Sequence, residues 1–186
     1  MRFFFALEIP EEDKKALKNV QNRLKELFPD IRTTDSDKLH LTLVFVGEQK
    51  DEFKDKLIEL MNKAADGISL FEVTPSYIDG FPNIHHPHTI WVGVKGDVDK
   101  LHNLRERLKD GLEKLELPVD ERRFVPHIAL AKASQEFHIE PEKERALENF
   151  IDPNMKPIVV TSIKLFESVA DQGLHTHNTL AEIKLS

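Results

Sequence analysis

Apolar residues in this chain recur in two rhythms. Every second position predicts a half-buried strand; steps of three and four predict an amphipathic helix. "MRFFFALEIP" predicts a strand over 2–9 ended by Pro10. "PEEDKKALKNVQNRLKELF" then opens with proline and acids, as helix starts prefer, and Ala16, Leu17, Val20, Leu24 and Leu27 form its apolar stripe. A strand over 39–46 stops at Gly47. A second helix, about 50–65, carries Phe53, Leu57, Leu60, Met61 and Ala64 on one face and is stopped by Gly67. Strands over 68–79 and 88–95 flank the turn-rich "DGFPNIHHPH". A third helix, "DVDKLHNLRERLKDGLEKL", has Asp97 as its expected N-cap and leads past Pro118 to a strand over 125–132. A short helix near 141–150 and strands over about 157–168 and 174–185 follow.

Taken in order, strand–helix–strand–helix–strand runs roughly twice. This predicts an α+β protein of two similar lobes, each a mainly antiparallel sheet with helices on its outer face. No Gly/Ser-rich linker separates them, so residues 1–186 are expected to form a single bilobal domain with an internal pseudo-repeat. The matching strands are those over 39–46 and 125–132.

Composition narrows the partners. With 186 residues, 40% hydrophobic and 32% charged, the chain has ample material for a core. Its formal charge of −7 argues against a broad basic face for duplex DNA, yet leaves room for a site that grips one phosphate by local hydrogen bonds. The absence of cysteine excludes disulfides, thiol catalysis and cysteine-ligated zinc. No apolar run reaches the roughly 18 residues that span a bilayer. Glu8 interrupts the opening run and no small-residue cleavage site follows. A cytoplasmic, membrane-free protein is expected.

The candidate chemistry lies in two strands. In "KLHLTLVFVG", alternation points His40 and Thr42 to one side and Leu39, Leu41 and Leu43 to the other. In "FVPHIALAKAS", His127 and Ala129 share a side while Ile128 and Leu130 pack opposite. The histidines are 87 residues apart. Two imidazoles facing one phosphate suit paired acid–base work near neutral pH without a metal, each transfer contributing about 10² to 10⁴-fold. A threonine hydroxyl beside a histidine donates to a non-bridging oxygen as charge develops. A lone strand histidine is more often structural; the repetition is what favours catalysis.

"LHLTLVFVGE" and "FVPHIALAK" resemble the paired His-x-Thr/Ser motifs of the 2H phosphoesterases, in the branch of the RNA 2′,3′-cyclic phosphodiesterases, also called 2′-5′ RNA ligases. "MRFFFALEIP", "IDGFPNIHHPHTIWVGV" and "IKLFESVADQG" sit where that family has similar segments, so the likeness spans the chain. The resemblance implies two lobes with His40 and His127 in a central cleft. It also implies hydrolysis of a terminal 2′,3′-cyclic phosphate to a 2′-phosphate, by one histidine activating water and the other protonating the 3′ oxygen. The order of roles stays open, with His127 preferred as base and His40 as acid. It implies RNA 3′ ends or nucleoside 2′,3′-cyclic phosphates as partners, no cofactor and no metal; a monomer is expected.

The chain departs from the family pattern where Ala129 stands for the second hydroxyl, so a backbone N–H at Ala129, Ser134 or a water is expected to serve the phosphate. Lys132 stands where the family often has arginine and is expected on the phosphate; Phe45 stands where the family has an aromatic suited to base stacking. Strict alternation would turn both away from the histidines, so a bulge or strand end is required after each motif. A non-catalytic binder of nucleotide or RNA ends is the alternative that Ala129 favours. Ligation is secondary, because no ATP-binding lysine motif or Gly-rich phosphate loop is present. "HHPH" (His85, His86, His88) reads as a solvated loop at the groove rim, and "HTH" (His175, Thr176, His177) as the opening of the last strand. Arg122 and Arg123 read equally well as an RNA-end contact and as a charged turn.

Overall fold

The two apolar rhythms fold into a single sheet backed by helices. The computed structural model describes residues 1–186 apart from the side chain of Leu174. In chain order the elements are β1 (Arg2–Glu8), α1 (Glu11–Leu27), β2 (Arg32–Thr33), β3 (His40–Glu48), α2 (Lys54–Ala65), β4 (Phe71–Phe81) and β5 (Thr89–Gly96). After them come α3 (Val98–Lys114), β6 (His127–Lys132), α4 (Pro141–Leu147), β7 (Ile158–Val160), β8 (Ser162–Asp171) and β9 (Leu174–Lys184). The strands run in the order β7-β4-β5-β6-β3-β1-β8-β9, with β2 added beside β6.

Two β-strand–helix–β-strand units, β1-α1-β3 and β5-α3-β6, form the middle of this sheet. In each, the strands joined by the helix pair antiparallel. The helices cross over: α1 contacts β6 and α3 contacts β3. One later strand from each half also exchanges, β4 pairing with β5 and β8 with β1, while β7 stays beside β4. No flexible linker is needed between lobes that trade elements in this way. The halves meet at a single pair, Leu41 with Ile128, so the lobes are arms of one continuous sheet.

The expected strand over 157–168 is two strands. β7 pairs with β4 at one end of the order and β8 pairs with β1 and β9 near the other. Only Thr161 separates them, and two residues reach about 7 Å at most. The sheet must therefore curl into a half-barrel.

Its helix-covered face buries Phe3, Phe5, Leu7, Leu41, Leu43, Ile128 and Leu130 with Leu17, Val20 and Leu24 of α1 and Leu101, Leu104 and Leu108 of α3. Each such side chain stabilises the fold by roughly 1.5–3 kcal/mol. A smaller cluster of Phe4, Ala6 and Phe166 lies apart from that core. Strand β1 is thus buried on both sides, which accounts for its unbroken apolar run. Asp97 does occupy the N-cap position of α3, but its carboxylate accepts from the backbone N–H of Glu72 (3.0 Å) and caps no helical N–H. Among the described residues, no helix is long and apolar enough to cross a membrane.

Candidate active site

His40 and His127 each begin one of the two central strands. Extending the register from the Leu41–Ile128 pair sets His40 diagonal to His127, with Thr42 and Ala129 on the other diagonal. Diagonal neighbours sit about 7–8 Å apart before any splaying, enough to admit a phosphate. The imidazoles are near enough that charge on His127 lowers the pKa of His40.

Both rings are held alike. Nδ1 of His40 donates to the Lys38 carbonyl (2.8 Å), and Nδ1 of His127 donates to the Val125 carbonyl (2.7 Å). A carbonyl only accepts, so each Nδ1 carries the proton and each neutral ring keeps its Nε2 lone pair free. Burial is the largest influence on both and holds them below the usual histidine range; for His127 the Lys132 ammonium adds to that.

The bulges that Phe45 and Lys132 require are present. Against β1, Ala6 pairs with Thr42 but Phe5 pairs with Val44, leaving Leu43 as the extra residue. Against β5, Trp91 pairs with Ala129 but Ile90 pairs with Ala131, leaving Leu130 as the extra residue. The burial sequence is the same from His40 to Phe45 and from His127 to Lys132. One extra residue restores the phase, so Phe45 and Lys132 share the side of their histidines. Phe45 is 56% exposed and its ring lies 5.9 Å from that of Phe4. Lys132 donates to the Thr89 hydroxyl (2.9 Å), and burial lowers its pKa.

Each bulge is clamped from the other unit's helix. Arg105 of α3 donates to the Leu43 carbonyl (2.6 Å), and Gln21 of α1 donates to the Leu130 carbonyl (2.9 Å). Both side chains are buried. Sequence reasoning missed them, although a signal existed: each is a polar residue inside an apolar stripe, Gln21 among Leu17, Val20 and Leu24, Arg105 among Leu101, Leu104 and Leu108.

Aromatic rings wall both histidines. His40 packs against Phe4 (centroids 5.3 Å) and His177 (5.1 Å), and Phe4 stacks on Phe166 (5.2 Å). His127 packs against Phe81 (4.8 Å) and Trp91 (5.3 Å). Gly93 stands opposite His127, and a Cβ there would meet the Tyr77 ring at 2.2 Å, so this glycine makes room for the aromatic wall. His177, read from the sequence only as the opening of the last strand, lies against His40. Burial first, then the neighbouring His40, lowers its pKa to about 4.

The remaining expectations fall elsewhere. Ser134 is exposed past the end of β6. His85 meets Glu144 at 3.2 Å and the ring of His86 lies 6.0 Å from His138, which ties the 82–88 loop toward α4. Arg122, held by Asp120, and Arg123 both line a pocket of about 520 Å³ with Tyr77, His102 and Phe124 that reaches Val125 and Pro126. A larger pocket of about 830 Å³, between the start of α1 and residues 152–161, contains neither histidine. Among the described residues, no group of three or more His, Asp or Glu is arranged to hold a metal.

Comparison with known proteins bears on what this geometry belongs to. The profile of the 2′-5′ RNA ligase superfamily matches residues 9–168. The chain belongs to that superfamily. With membership comes the class: it is an enzyme, a hydrolase of the 2H phosphoesterase kind. It is similar to the RNA 2′,3′-cyclic phosphodiesterase of Methanocaldococcus jannaschii, 29% identical over 171 residues covering 90% of this chain and 91% of the relative. It is also similar to the RNA 2′,3′-cyclic phosphodiesterase of Thermus thermophilus, 30% identical over 138 residues covering 71% and 68%. The crystal structure of E. coli LigT in apo form superposes with a TM-score of 0.76 at 25% identity, covering 100% of this chain and 97% of that one.

Proposed function

We propose that this superfamily member is an RNA 2′,3′-cyclic phosphodiesterase that opens a terminal cyclic phosphate to a 2′-phosphate by two-histidine catalysis without a metal. The observation that carries the reading is the pair of imidazoles, each tied through Nδ1 to a carbonyl two residues back and each left with a free Nε2. The relatives' names support the substrate class.

The chemistry follows from the ring states. One neutral Nε2 takes a proton from water as the water oxygen bonds to phosphorus. One protonated Nε2 gives its proton to the 3′ oxygen as the P–O3′ bond breaks. The 2′-phosphate leaves and a proton returns between the rings through solvent. Burial first, and then the Lys132 ammonium, favours the neutral form of His127 that a base needs; burial lowers His40 too, so the ring states permit either order and we assign His127 as the base. His40 is then the acid. Thr42 donates its hydroxyl to a non-bridging oxygen, Lys132 offsets the developing charge, and Phe45 stacks on the terminal base. The two β-α-β units read as a repeat that supplies one imidazole each.

A second reading, a binder of nucleotide ends that does not turn them over, is favoured by the missing hydroxyl at Ala129. One experiment separates the two. An oligonucleotide ending in a 2′,3′-cyclic phosphate is incubated with the protein, with and without excess chelator, and the product is identified by phosphorus NMR. A 2′-phosphate is the expected product. A 3′-phosphate would contradict the assignment of the leaving oxygen, loss of activity in chelator would contradict the metal-free mechanism, and an unreacted but bound cyclic end would establish the second reading.

A further inference from the structure

The two histidine strands differ most at the residue two places on, and the strands beside them differ in the opposite sense. Thr42 stands opposite Ala6, whereas Ala129 stands opposite Trp91. Large and small have changed places across the pair. Directly opposite residues share a face, so the Trp91 side chain lies on the histidine side of β5. Its indole packs against His127, Phe81 (4.8 Å) and Tyr77 (5.7 Å). The residue is 2% exposed, and its Nε1 has no hydrogen-bond partner. Among the described residues it is the one buried side-chain nitrogen or oxygen in that condition. Buried donors are nearly always paired, so an orphan beside a catalytic histidine points to an acceptor that arrives with a ligand.

We propose that the Trp91 indole N–H donates to a non-bridging phosphate oxygen, taking the place of the hydroxyl that Ala129 lacks. The inference rests on the reading of the cleft as a phosphate site and names its second donor. An indole N–H is donor only, which suits an anionic acceptor. Thr42 and Trp91 then address the phosphate from the two arms of the sheet. The exposed Tyr77 ring, lying over Gly93 beside the indole, is the neighbour that swings aside when the anion enters.

Trp91 is the single tryptophan of the chain, so it gives one indole N–H resonance. The test is a proton–nitrogen NMR titration of the unmutated protein with inorganic phosphate and then adenosine 2′-monophosphate, following that resonance together with the histidine rings. The indole resonance is expected to move downfield in step with His127. Histidine rings that move while the indole stays would overturn the inference and leave the cleft reading intact; no movement of either would end both. Kinetics supply an independent check. Trp91→Phe keeps a ring and removes the donor, and is expected to lower kcat/KM roughly tenfold to a hundredfold. Ala129→Thr is expected to raise kcat/KM more in that background than in the wild type. An equal effect of Ala129→Thr in both backgrounds would overturn the inference.

Discussion

The two arms of the sheet share a backbone and differ in chemistry. Both run histidine, buried residue, small residue, extra residue, buried residue and outward residue in the same register, with the extra carbonyl clamped by the opposite unit's helix. Onto that frame the first arm places Thr42 opposite Ala6 and Phe45 beside Phe4; the second places Ala129 opposite Trp91 and Lys132 on Thr89. Glu8 stands opposite His40, where the second arm has Gly93 opposite His127. On the proposed mechanism the frame is symmetric because two imidazoles approach one phosphorus. On the same reading the decoration is asymmetric, because acid and base are different jobs and a nucleotide has a base on one side only.

Removing the hydroxyl of the first arm makes both arms alike in lacking one. Thr42→Ala is expected to lower kcat/KM roughly 10 to 150-fold, the value of a hydrogen bond to a charged group, measured by initial rates on a nucleoside 2′,3′-cyclic phosphate. An unchanged rate would show that this arm does not stabilise the phosphate through Thr42.

The clamps come next. Arg105→Met takes from the buried Leu43 carbonyl its Arg105 donor, at a cost of about 1–3 kcal/mol, whereas Gln21→Leu removes one of two donors to the Leu130 carbonyl, which keeps the Thr34 N–H (2.8 Å), and should cost less. Urea unfolding should show both losses. Phe45 contacts should weaken in the first variant and the Lys132–Thr89 contact in the second, seen as a raised KM. Equal stability with unchanged KM in both would mean that the bulges hold themselves.

Phe45→Ala and Lys132→Met sharpen the division of labour. The first is expected to raise KM severalfold for nucleotides while leaving the affinity for inorganic phosphate as it was; the second should weaken inorganic phosphate as well. A matching pattern from the two would erase the distinction between base and phosphate contacts.

The smallest effect is on pH dependence. His177 is depressed to about 4 in the folded chain, against about 6.5 unfolded. A lowered folded pKa gives a contribution that is complete above the unfolded value and lost as pH falls through the folded one. Stability should therefore decline between about pH 6.5 and 4, and His177→Phe should decline less over that window by urea unfolding at pH 7 and pH 5. Identical slopes would remove His177 from the acid sensitivity. Because His40 and His127 are also held below the usual range, the alkaline fall of kcat/KM should begin below pH 6.5.

Much of this was legible in the sequence for a physical reason. Apolar spacing reports the face that meets the core, so strands at 39–46 and 125–132 and helices with Leu17, Leu24, Leu101 and Leu108 inward were readable. The histidines stood out because each interrupts an apolar strand in the same phase. What the spacing hides is pairing between distant segments. The chain carries no mark at Thr161 that one strand will divide between two arms, nor at Leu43 and Leu130 that an extra residue will turn Phe45 and Lys132 to the side of their histidines. His177, Trp91 and Thr89 reach the cleft through strand neighbours, and only register reveals them. Gln21 and Arg105 were visible as polar residues in apolar stripes, but their partners were not.

The most direct test compares initial rates for the wild type, His40→Ala, His127→Ala and the double variant on a 2′,3′-cyclic phosphate oligonucleotide in excess chelator, with folding checked by proton–nitrogen NMR. Each single loss is expected to lower the rate by about 10² to 10⁴-fold or more, and the double variant to be little worse than either, since each ring's transfer depends on the other's. A folded single variant that keeps the wild-type rate would contradict a site built from one histidine of each arm.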